Sequence, residues 1–409
     1  MKRLLYSLAV LAAIGIIVGA FFFLRYRSEP APQQPEAVAP SLPLAPDAPA
    51  ESVPAVESEL PSNESAPAEP VALGAGLRTL SSRPVLAFAV RADGNVLLTG
   101  PDGTVSELRG TTATTLSPTA VVNLQTAAFS FDASKLLAVF GERNAPQVAL
   151  FDVKSKTWQP FSAPATDAAW APNDLRVAYL SPKAGWTTLN TLDIGDAKAK
   201  PQELARVRFA DAALAWHAPD QILLRERASG FVPSSAWVWD IKKKTLSLFA
   251  EDQRGFDVRW PRGAPSGLVF VAGRAGRGGS LLLVSPQGDV RETFSFLSFP
   301  EKCAFASEPL PEELRRATST PATPLVTTLI CAVPRDAETL EASILPDTYR
   351  KRAVFTVDDF YRINLATGAI QTVSVDSPQP LDATNAAVSG DALYFINRYD
   401  QKLYSLQVK

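Results

Sequence analysis

One short pattern recurs along most of the chain: an apolar run ends in an aromatic residue, a turn follows, and a second apolar run begins. At residues 166–181, for example, the first run ends in Trp170, a Pro-Asn-Asp turn comes next, and residues 176–180 form the second run. This pattern is typical of two antiparallel strands joined by a tight turn. Its copies place the closing aromatic residue at Phe88, Phe129, Trp170, Trp216, Trp260 and Phe305, and a weaker copy has Ala387 in that position.

Successive copies are about 41 to 46 residues apart as far as Phe305, which is the period of a four-stranded propeller blade. Such a sheet cannot bury either face alone, whereas sheets stacked around an axis cover the faces of their neighbours. The interval from Phe305 to Ala387 is about twice the period but contains one strong set of strands, so we interpret it as one blade with two insertions, at about residues 307–323 and 334–352. The sequence therefore predicts an all-β protein, a seven-bladed β-propeller.

Two details of the repeat resemble the WD-type and TolB-like β-propellers. The turns at residues 170–174 and 216–220 each contain a proline and end in aspartate, and two third strands end in Phe151-Asp152 and Trp239-Asp240. The resemblance covers residues 77–409, and because no complete Gly-His and Trp-Asp pair is present, the TolB-like group, common in bacterial envelopes, is the closer one. It implies the fold and leaves the function open, since this architecture hosts many unrelated activities.

The last blade shows only three strands, near residues 384–389, 392–397 and 402–408. A fourth strand is needed to close the ring, and residues 77–82 are the available candidate. We therefore expect the start of the propeller to pair with its last blade, because this pairing removes an open sheet edge.

The N-terminal residues 1–27 contain an uncharged apolar stretch of about 21 residues, long enough to cross about 30 Å of hydrocarbon as a helix. Lys2 and Arg3 precede the stretch, and Arg25 and Arg27 follow it. The sequence predicts one transmembrane helix that acts as a signal anchor, and a signal peptide cleaved near residues 18–20 is the alternative. A short basic N-terminus favours an N-terminus in the cytoplasm and a C-terminal domain outside it. The membrane is thus one expected partner, contacted through this helix.

Residues 28–75 are rich in Pro, Ala, Glu and Ser, and they contain neither basic nor aromatic residues. Such a segment cannot bury enough apolar surface to offset the entropy of ordering, so it is predicted to be disordered. Its prolines favour an extended spacer. The predicted organisation is an anchor at residues 1–27, a Pro-rich linker at 28–75 and a propeller domain at 76–409.

Few residues suit catalysis or metal binding. The net charge of −2 gives no reason to expect nucleic acid as a partner. His217 is the only histidine, it is expected in a turn, and no G-x-S-x-G motif is present. One histidine and two cysteines are too few for a typical zinc site, and no EF-hand loop occurs, although calcium bound by scattered aspartates remains an alternative. We therefore predict no catalytic residues, no metal site and no cofactor.

The two cysteines, Cys303 and Cys331, are expected on neighbouring strands of the sixth blade. In an oxidising environment outside the cytoplasm they would be able to form a disulfide. The alternative is two buried free thiols that pack as small apolar side chains.

The candidate binding residues lie in loops, where a rigid scaffold usually carries its function. Trp186 is placed in a hairpin loop, and the glycine-rich turn at 273–279 offers amide groups with Arg274 and Arg277 for an anion, or is simply a solvated turn. The second insertion contributes an aromatic and cationic patch, formed by Tyr349, Arg350 and Arg352.

We predict a non-catalytic binding or scaffold module for an unknown protein, peptide or cell-envelope ligand. The alternative is a lyase, glycosidase or lactonase that uses carboxylate and Arg residues at the mouth of the central channel. The two functions differ in whether several carboxylates and arginines converge at one channel mouth.

Overall fold

The structure is a computed structural model that describes residues 72–73 and 76–408, except residues 118, 143–144, 209–211, 262–263, 265 and 309–324. Its strands form seven antiparallel sheets, six with four strands and one with five. The predicted all-β, seven-bladed propeller is confirmed. The predicted anchor at residues 1–27 and almost all of the predicted linker at 28–75 lie outside the described residues. No helix within the described part of the chain has the length and apolar character needed to span a membrane.

Each of blades 1–6 is one sheet of four consecutive strands. Blade 1 consists of β3 (Ala87–Val90), β4 (Val96–Thr99), β5 (Val105–Arg109) and β6 (Thr112–Ser117). Blade 2 consists of β7 (Leu124–Phe129), β8 (Lys135–Glu142), β9 (Ala145–Asp152) and β10 (Thr157–Pro160). Blade 3 consists of β11 (Asp167–Trp170), β12 (Arg176–Lys183), β13 (Trp186–Asp193) and β14 (Gln202–Val207). Blade 4 consists of β15 (Ala212–Ala218), β16 (Gln221–Glu226), β17 (Pro233–Asp240) and β18 (Thr245–Arg254). Blade 5 consists of β19 (Asp257–Arg259), β20 (Gly267–Ala272), β21 (Gly279–Val284) and β22 (Val290–Thr293). Blade 6 consists of β23 (Cys303–Glu308), β24 (Leu325–Pro334), β25 (Asp358–Asn364) and β26 (Ile370–Val373).

The long interval after Phe305 is a single blade, as the sequence indicates, because β23 to β26 form one sheet in that order. The first predicted insertion, at 307–323, falls mostly on residues outside the described part. The second, at 334–352, contains two short helices, α1 (Glu338–Ala342) and α2 (Asp347–Arg350). Two 3-10 turns, Arg274–Gly276 and Pro300–Lys302, complete the helical elements of the described residues.

Blade 7 is closed by the start of the domain. It contains β27 (Ala383–Ser389), β28 (Ala392–Asn397) and β29 (Leu403–Gln407), and β2 (Leu77–Thr79) pairs antiparallel with β29. The predicted pairing of the first strand with the last blade is therefore confirmed. The short strand β1 (Ala72–Leu73), which falls in the predicted linker, adds a fifth strand outside β2.

The blades pack against one another through the residues that alternate along their strands. The indole of Trp170 donates a hydrogen bond of 2.8 Å to the carbonyl oxygen of Ala128 in the preceding blade. Trp239 is buried in an apolar cluster that spans blades 3 and 4 and includes Leu180 and Ile222. Trp239 therefore belongs to the core between these two blades.

The ring has two different faces. The bottom face carries the turns between first and second strands and between third and fourth strands, and the top face carries the remaining loops. Several bottom turns close on themselves, because an aspartate accepts the backbone N–H group two residues later at 3.0 Å. The pairs are Asp93 with Asn95, Asp132 with Ser134, and Asp174 with Arg176.

The prediction of His217 as a turn residue is wrong. His217 lies in β15 and is 4% exposed, and its Nε2 atom is 3.1 Å from Oε1 of Gln221. Its ring packs against Trp260, with 4.8 Å between the centroids. Burial lowers the pKa of His217 to about 4, so the imidazole is neutral in the folded protein at neutral pH.

Replacement of Leu77 by alanine is expected to destabilise the propeller by about 2–5 kcal/mol, because Leu77 is 1% exposed and packs in the core of blade 7. Arg78→Ala is the matched control, since Arg78 lies on the same strand with an exposed side chain. Urea denaturation of both variants measures the difference. Equal stability of the two variants would show that β2 does not hold the ring closed.

The stability of the protein is expected to fall as the pH decreases from about 6.5 to about 4, because only the unfolded state protonates His217 in that window. The contribution is about 3 kcal/mol, and it is fully present above pH 6.5. His217→Gln should remove it, so urea denaturation of the wild type and of this variant at several pH values is the measurement. If the free energy of unfolding depends on pH in the same way in the wild type and in the His217→Gln variant, His217 is not the source of this pH dependence.

Candidate functional site

The top face carries the main departure from the repeat, which is the connection from β24 to β25 at residues 335–357. We call this segment the blade-6 cap. Leu340, Leu345 and Tyr349 of the cap are buried in one cluster with Phe270 and Phe299 of the propeller. The cap is therefore packed on the top face and is part of the folded domain.

The cap is joined to the glycine-rich turn of blade 5. The guanidinium of Arg277 donates to the carbonyl oxygen of Ala342 at 2.7 Å, and the N–H of Leu345 donates to Gly276 at 2.8 Å. A side chain at Gly276 would place its Cβ 2.1 Å from the carbonyl oxygen of Gly230, so this approach requires glycine. The structure thus brings the predicted residue Arg277 to the predicted insertion.

The glycine-rich turn does not have the arrangement expected of an anion site. The N–H groups of Gly276, Arg277 and Gly278 donate to the carbonyl oxygens of Gly273, Arg274 and Ser343, at 3.0 to 3.2 Å. These amides are therefore occupied within the protein. Arg274 and Arg277 are both exposed.

The predicted aromatic and cationic patch of the cap is corrected by the position of Tyr349, which is 2% exposed. Its hydroxyl donates to Asp382 at 2.9 Å, and its ring stacks on Phe299 with 4.3 Å between the centroids. Tyr349 therefore cannot contact a partner at the surface. Arg350 and Arg352 are both exposed, and the guanidinium of Arg350 contacts the carboxylate of Asp257 at 2.5 Å.

A buried group of charges lies beneath the cap, between blades 6 and 7. Lys302 is fully buried, and its Nζ atom contacts Asp358 at 2.5 Å and Asp382 at 2.6 Å. Arg398 also contacts Asp382, at 2.6 Å. The two positive and two negative charges balance, so this group links the two blades and offers no unpaired charge to a ligand.

A second charged group lies where the inner strands begin, at the top mouth of the channel, and we call it the mouth cluster. Its carboxylates come from the strand starts and from the turn before β23, and its arginines come from β16, the loop after it, β19 and the cap. The members are Asp167, Asp257, Glu301, Arg225, Arg227, Arg259 and Arg350. Carboxylates and arginines therefore do converge at one channel mouth.

Asp257 is the centre of the mouth cluster. It is 7% exposed, and its two carboxylate oxygens contact Arg350 at 2.5 Å and Arg225 at 3.2 Å. Burial alone would raise the pKa of Asp257, but the positive charges of Arg350 and Arg225 outweigh it and hold the pKa below its ordinary value. Asp257 thus stays ionised and ties the cap to blades 4 and 5.

The other two carboxylates of the mouth cluster behave differently. Burial raises the pKa of Asp167, although its carboxylate accepts a hydrogen bond of 2.7 Å from the N–H of Leu214. Burial, followed by the negative charge of Asp257, also raises the pKa of Glu301. Both groups therefore hold protons at a higher pH than an exposed carboxylate, which is a property that a general acid requires.

Arg259 links three blades inside the channel. Its guanidinium donates to the carbonyl oxygens of Glu301 at 3.2 Å, Cys303 at 3.3 Å and Ala386 at 2.6 Å. Beside it lies a cavity of about 420 Å³ whose walls include Phe88 and Phe305. Arg259 therefore serves as a structural brace at the side of this cavity.

The mouth cluster was not predicted from the sequence, although the sequence contains one signal for it. Asp167 and Asp257 each lie three residues before the closing aromatic of their repeat, Trp170 and Trp260. This shared position places both carboxylates at the start of an inner strand. The arginines gave no comparable signal, because Arg225 lies in the second strand of blade 4, Arg227 in the loop after that strand and Arg350 in the cap.

The top face also exposes apolar side chains. Among the described residues they are Val122, Trp186, Phe231, Val232, Phe355, Val357 and Tyr399. Trp186 is 44% exposed at the start of β13, and the guanidinium of Arg206 lies 5.8 Å from its ring centroid. Phe355 and Tyr399 stack on each other, with 5.1 Å between the centroids. This face therefore combines apolar contact surface with charge.

The described residues contain no group of three or more His, Cys, Asp or Glu side chains arranged to hold a metal ion. Cys303 and Cys331 form a disulfide between β23 and β24, at positions directly opposite each other in the sheet. The disulfide is buried in the core of blade 6. It lies away from the exposed surface and belongs to the scaffold.

Comparison with known proteins defines the class of this protein by its fold. No family model matches the chain, and no curated protein matches its sequence. An oligogalacturonate lyase solved in complex with manganese is similar, with 10% identity, coverage of 83% of this chain and 96% of that chain, and a TM-score of 0.54. The Cps50 (Swd1) propeller domain of Myceliophteria thermophila has 12% identity, coverage of 81% and 100%, and a TM-score of 0.50.

TolB from Acinetobacter baumannii is also among the structural neighbours. The match has 18% identity and a TM-score of 0.37, and it covers 51% of this chain and 54% of the TolB chain. At these identities the likeness concerns the architecture alone. The chain is a seven-bladed β-propeller, and its structural neighbours include TolB and other propeller proteins.

Asp257→Asn is expected to destabilise the protein by about 1–3 kcal/mol, because it leaves Arg350 and Arg225 without their charged partner. Asp359→Asn is the matched control, since Asp359 pairs with Arg335 at the surface, where an ion pair contributes about 0–1 kcal/mol. Urea denaturation measures both changes. If the two variants lose the same stability, the mouth cluster does not anchor the cap.

Proposed function

We propose that the chain is a non-catalytic binding or scaffold module, tethered to a membrane by its N-terminal segment, with its propeller outside the cytoplasm. Its top face binds a protein, peptide or cell-envelope ligand. One observation carries this proposal: the largest group of exposed apolar side chains in the described residues lies in top-face loops, whereas the bottom turns contribute Phe131. The other exposed large apolar side chains lie on outer strands; they are Leu246, Leu248, Val290 and Ile370. Exposed apolar surface concentrated on one face is typical of an interaction site.

The geometry of the mouth cluster supports binding over catalysis. Asp257 is already held by two arginines, and Arg259 donates to three backbone carbonyl oxygens. Groups that are engaged in this way stabilise the scaffold and do not need a substrate to satisfy them. The exposed residues around them then supply the contact area for a partner.

The tether is proposed from the sequence of the first 75 residues. An apolar stretch flanked by basic residues suits a signal anchor, and the proline-rich segment after it suits a spacer between the membrane and the propeller. The N-terminus remains in the cytoplasm.

A photo-crosslinking amino acid at position 186 of the full-length protein, expressed in its native cells, is expected to give a discrete crosslinked species, because Trp186 is exposed on the top face. The same amino acid at position 131 is the matched control, since Phe131 is 40% exposed and lies on the bottom face. Mass spectrometry identifies the partner. Crosslinks from position 131 alone, or from neither position, would contradict the proposal.

A propeller-type lyase, glycosidase or lactonase is the second candidate function. The observation that favours it is the convergence of carboxylates and arginines at the channel mouth, with the pKa values of Asp167 and Glu301 raised by burial. The purified full-length protein can be incubated with uronic-acid oligosaccharides, glycosides and lactones. Turnover that Asp167→Asn abolishes would establish this candidate in place of the first.

A further inference from the structure

The cavity of about 420 Å³ beside Arg259 lies among the inner strands of four blades that follow one another around the ring. Its lining includes the closing position of the repeat in each of them: Trp260 in blade 5, Phe305 in blade 6, Ala387 in blade 7 and Phe88 in blade 1. Three of these positions are aromatic and one is alanine. The cavity therefore lies where the seventh copy of the repeat lacks its aromatic side chain.

The closing aromatic residues of the remaining blades have different surroundings. Phe129, Trp170 and Trp216 are 4%, 8% and 5% exposed, so their rings are buried in the cores of blades 2–4. The three aromatic side chains that line the cavity are only half-buried. Part of their ring surface is therefore available to a ligand inside the channel.

The indole of Trp260 is held in position from several sides. Its N–H group donates to the carbonyl oxygen of Ala264 at 3.1 Å, and the ring of His217 packs on it with 4.8 Å between the centroids. A side chain at Gly267 would place its Cβ 2.1 Å from the indole, so the ring lies directly against this glycine. An aromatic group that is fixed before binding loses little conformational entropy when a ligand packs on it.

The strand that carries Ala387 is irregular. The register of β27 shifts between Thr384 and Ala387, and Asn385 has φ 53°. A bulge of this kind changes the direction of the side chains that follow it. Val388 and Ser389 come next and also line the cavity, and Ser389 contributes a hydroxyl group.

The cavity also has polar walls. Among the described strands, the innermost strand of each of these blades pairs with the second strand alone, so the backbone groups on its other edge face the channel. The carbonyl oxygens of Cys303 and Ala386 belong to such edges, and both accept hydrogen bonds from Arg259. A ligand that fills the cavity must therefore offer hydrogen-bonding groups as well as apolar surface.

A neutral sugar ring meets both requirements. Its C–H groups form an apolar surface that packs on aromatic faces, which carry partial negative charge, and its hydroxyl groups donate to and accept from the backbone. A hydrocarbon ring would bury the backbone groups without partners. Arg259 is the charged residue of the lining and is already engaged by three carbonyl oxygens, so a charged ligand has no advantage over a neutral one.

We propose that this cavity binds one neutral pyranose residue, with Phe88, Trp260 and Phe305 against its C–H groups and Ser389 and the inner-strand backbone as partners of its hydroxyl groups. The volume is within the range of small-molecule sites. The site lies inside the channel, whereas the proposed function uses exposed side chains of the top face. The inference therefore goes beyond that function and does not depend on it.

The probes are four neutral methyl pyranosides, with the gluco, galacto, manno and N-acetylgluco configurations. Saturation-transfer difference NMR with the full-length protein in detergent is expected to show transfer to the ring protons of at least one of them. Methyl glucuronide and cyclohexanol are the comparison ligands, since the first adds a charge and the second lacks most hydroxyl groups. Both are expected to bind at least about tenfold more weakly than the best pyranoside.

Ala387→Phe restores the aromatic residue of the other copies and fills the cavity, so it should abolish binding of the pyranoside. Ala113→Phe is the matched control, because Ala113 is exposed on the outer strand of blade 1. The melting temperature of each variant shows whether the fold is retained.

Phe305→Leu is a second, independent variant. It keeps an apolar side chain of similar size and removes one ring, so it should weaken binding of the pyranoside by about three- to tenfold. Phe131→Leu is its control, because Phe131 is exposed on the bottom face.

Binding of none of the four pyranosides, or full binding by both Ala387→Phe and Phe305→Leu, would overturn this inference. Equal or tighter binding of cyclohexanol or methyl glucuronide would overturn the assignment to a neutral sugar. Pyranoside binding that Asp167→Asn abolishes and Ala387→Phe leaves intact would place the sugar at the mouth cluster instead. The crosslinking result from position 186 is independent of these outcomes, so the two proposals can fail separately.

Discussion

The mutual covering of apolar sheet faces is the constraint on which this structure depends. A blade such as the one from β11 to β14 has apolar residues on both faces, and neither face is buried until a neighbour packs on it. In the last blade, β2 pairs with β29 and places Leu77 in the core between blades 6 and 7. Blades 1 and 7 cover each other through a separate core that includes Leu98 and Leu403. The loops and the cap are therefore carried by a ring that the backbone pairing of β2 with β29 closes.

The two faces of the ring use their polar groups differently. On the bottom face, aspartates such as Asp132 and Asp174 satisfy the backbone of their own turns, so these turns are short and regular. On the top face, carboxylates such as Asp257 and Asp382 bind residues from other blades and from the cap. The top face is therefore held by long-range contacts, and it is also the face on which loops vary in length and expose apolar side chains.

The sequence predicted what depends on local pattern and missed what depends on distant partners. The blades and the ring closure followed from the repeat, since each strand carries its own alternation. Lys302 gave no signal, because its partners Asp358 and Asp382 lie 56 and 80 residues away. Tyr349 was expected at the surface because it precedes a basic run, but the cap folds over and buries it. Burial of an irregular loop is set by tertiary packing, which composition does not encode.

The order of strands in blade 7 has a mechanical consequence. A force applied to the chain from residues before Ala72 acts first on β1, which among the described strands pairs with β2 alone. β1 can peel away while β2 still pairs with β29, so the ring stays closed after the first contacts are lost. Under tension, β1 is therefore expected to detach before the pairing of β2 with β29, which closes the ring, is loaded.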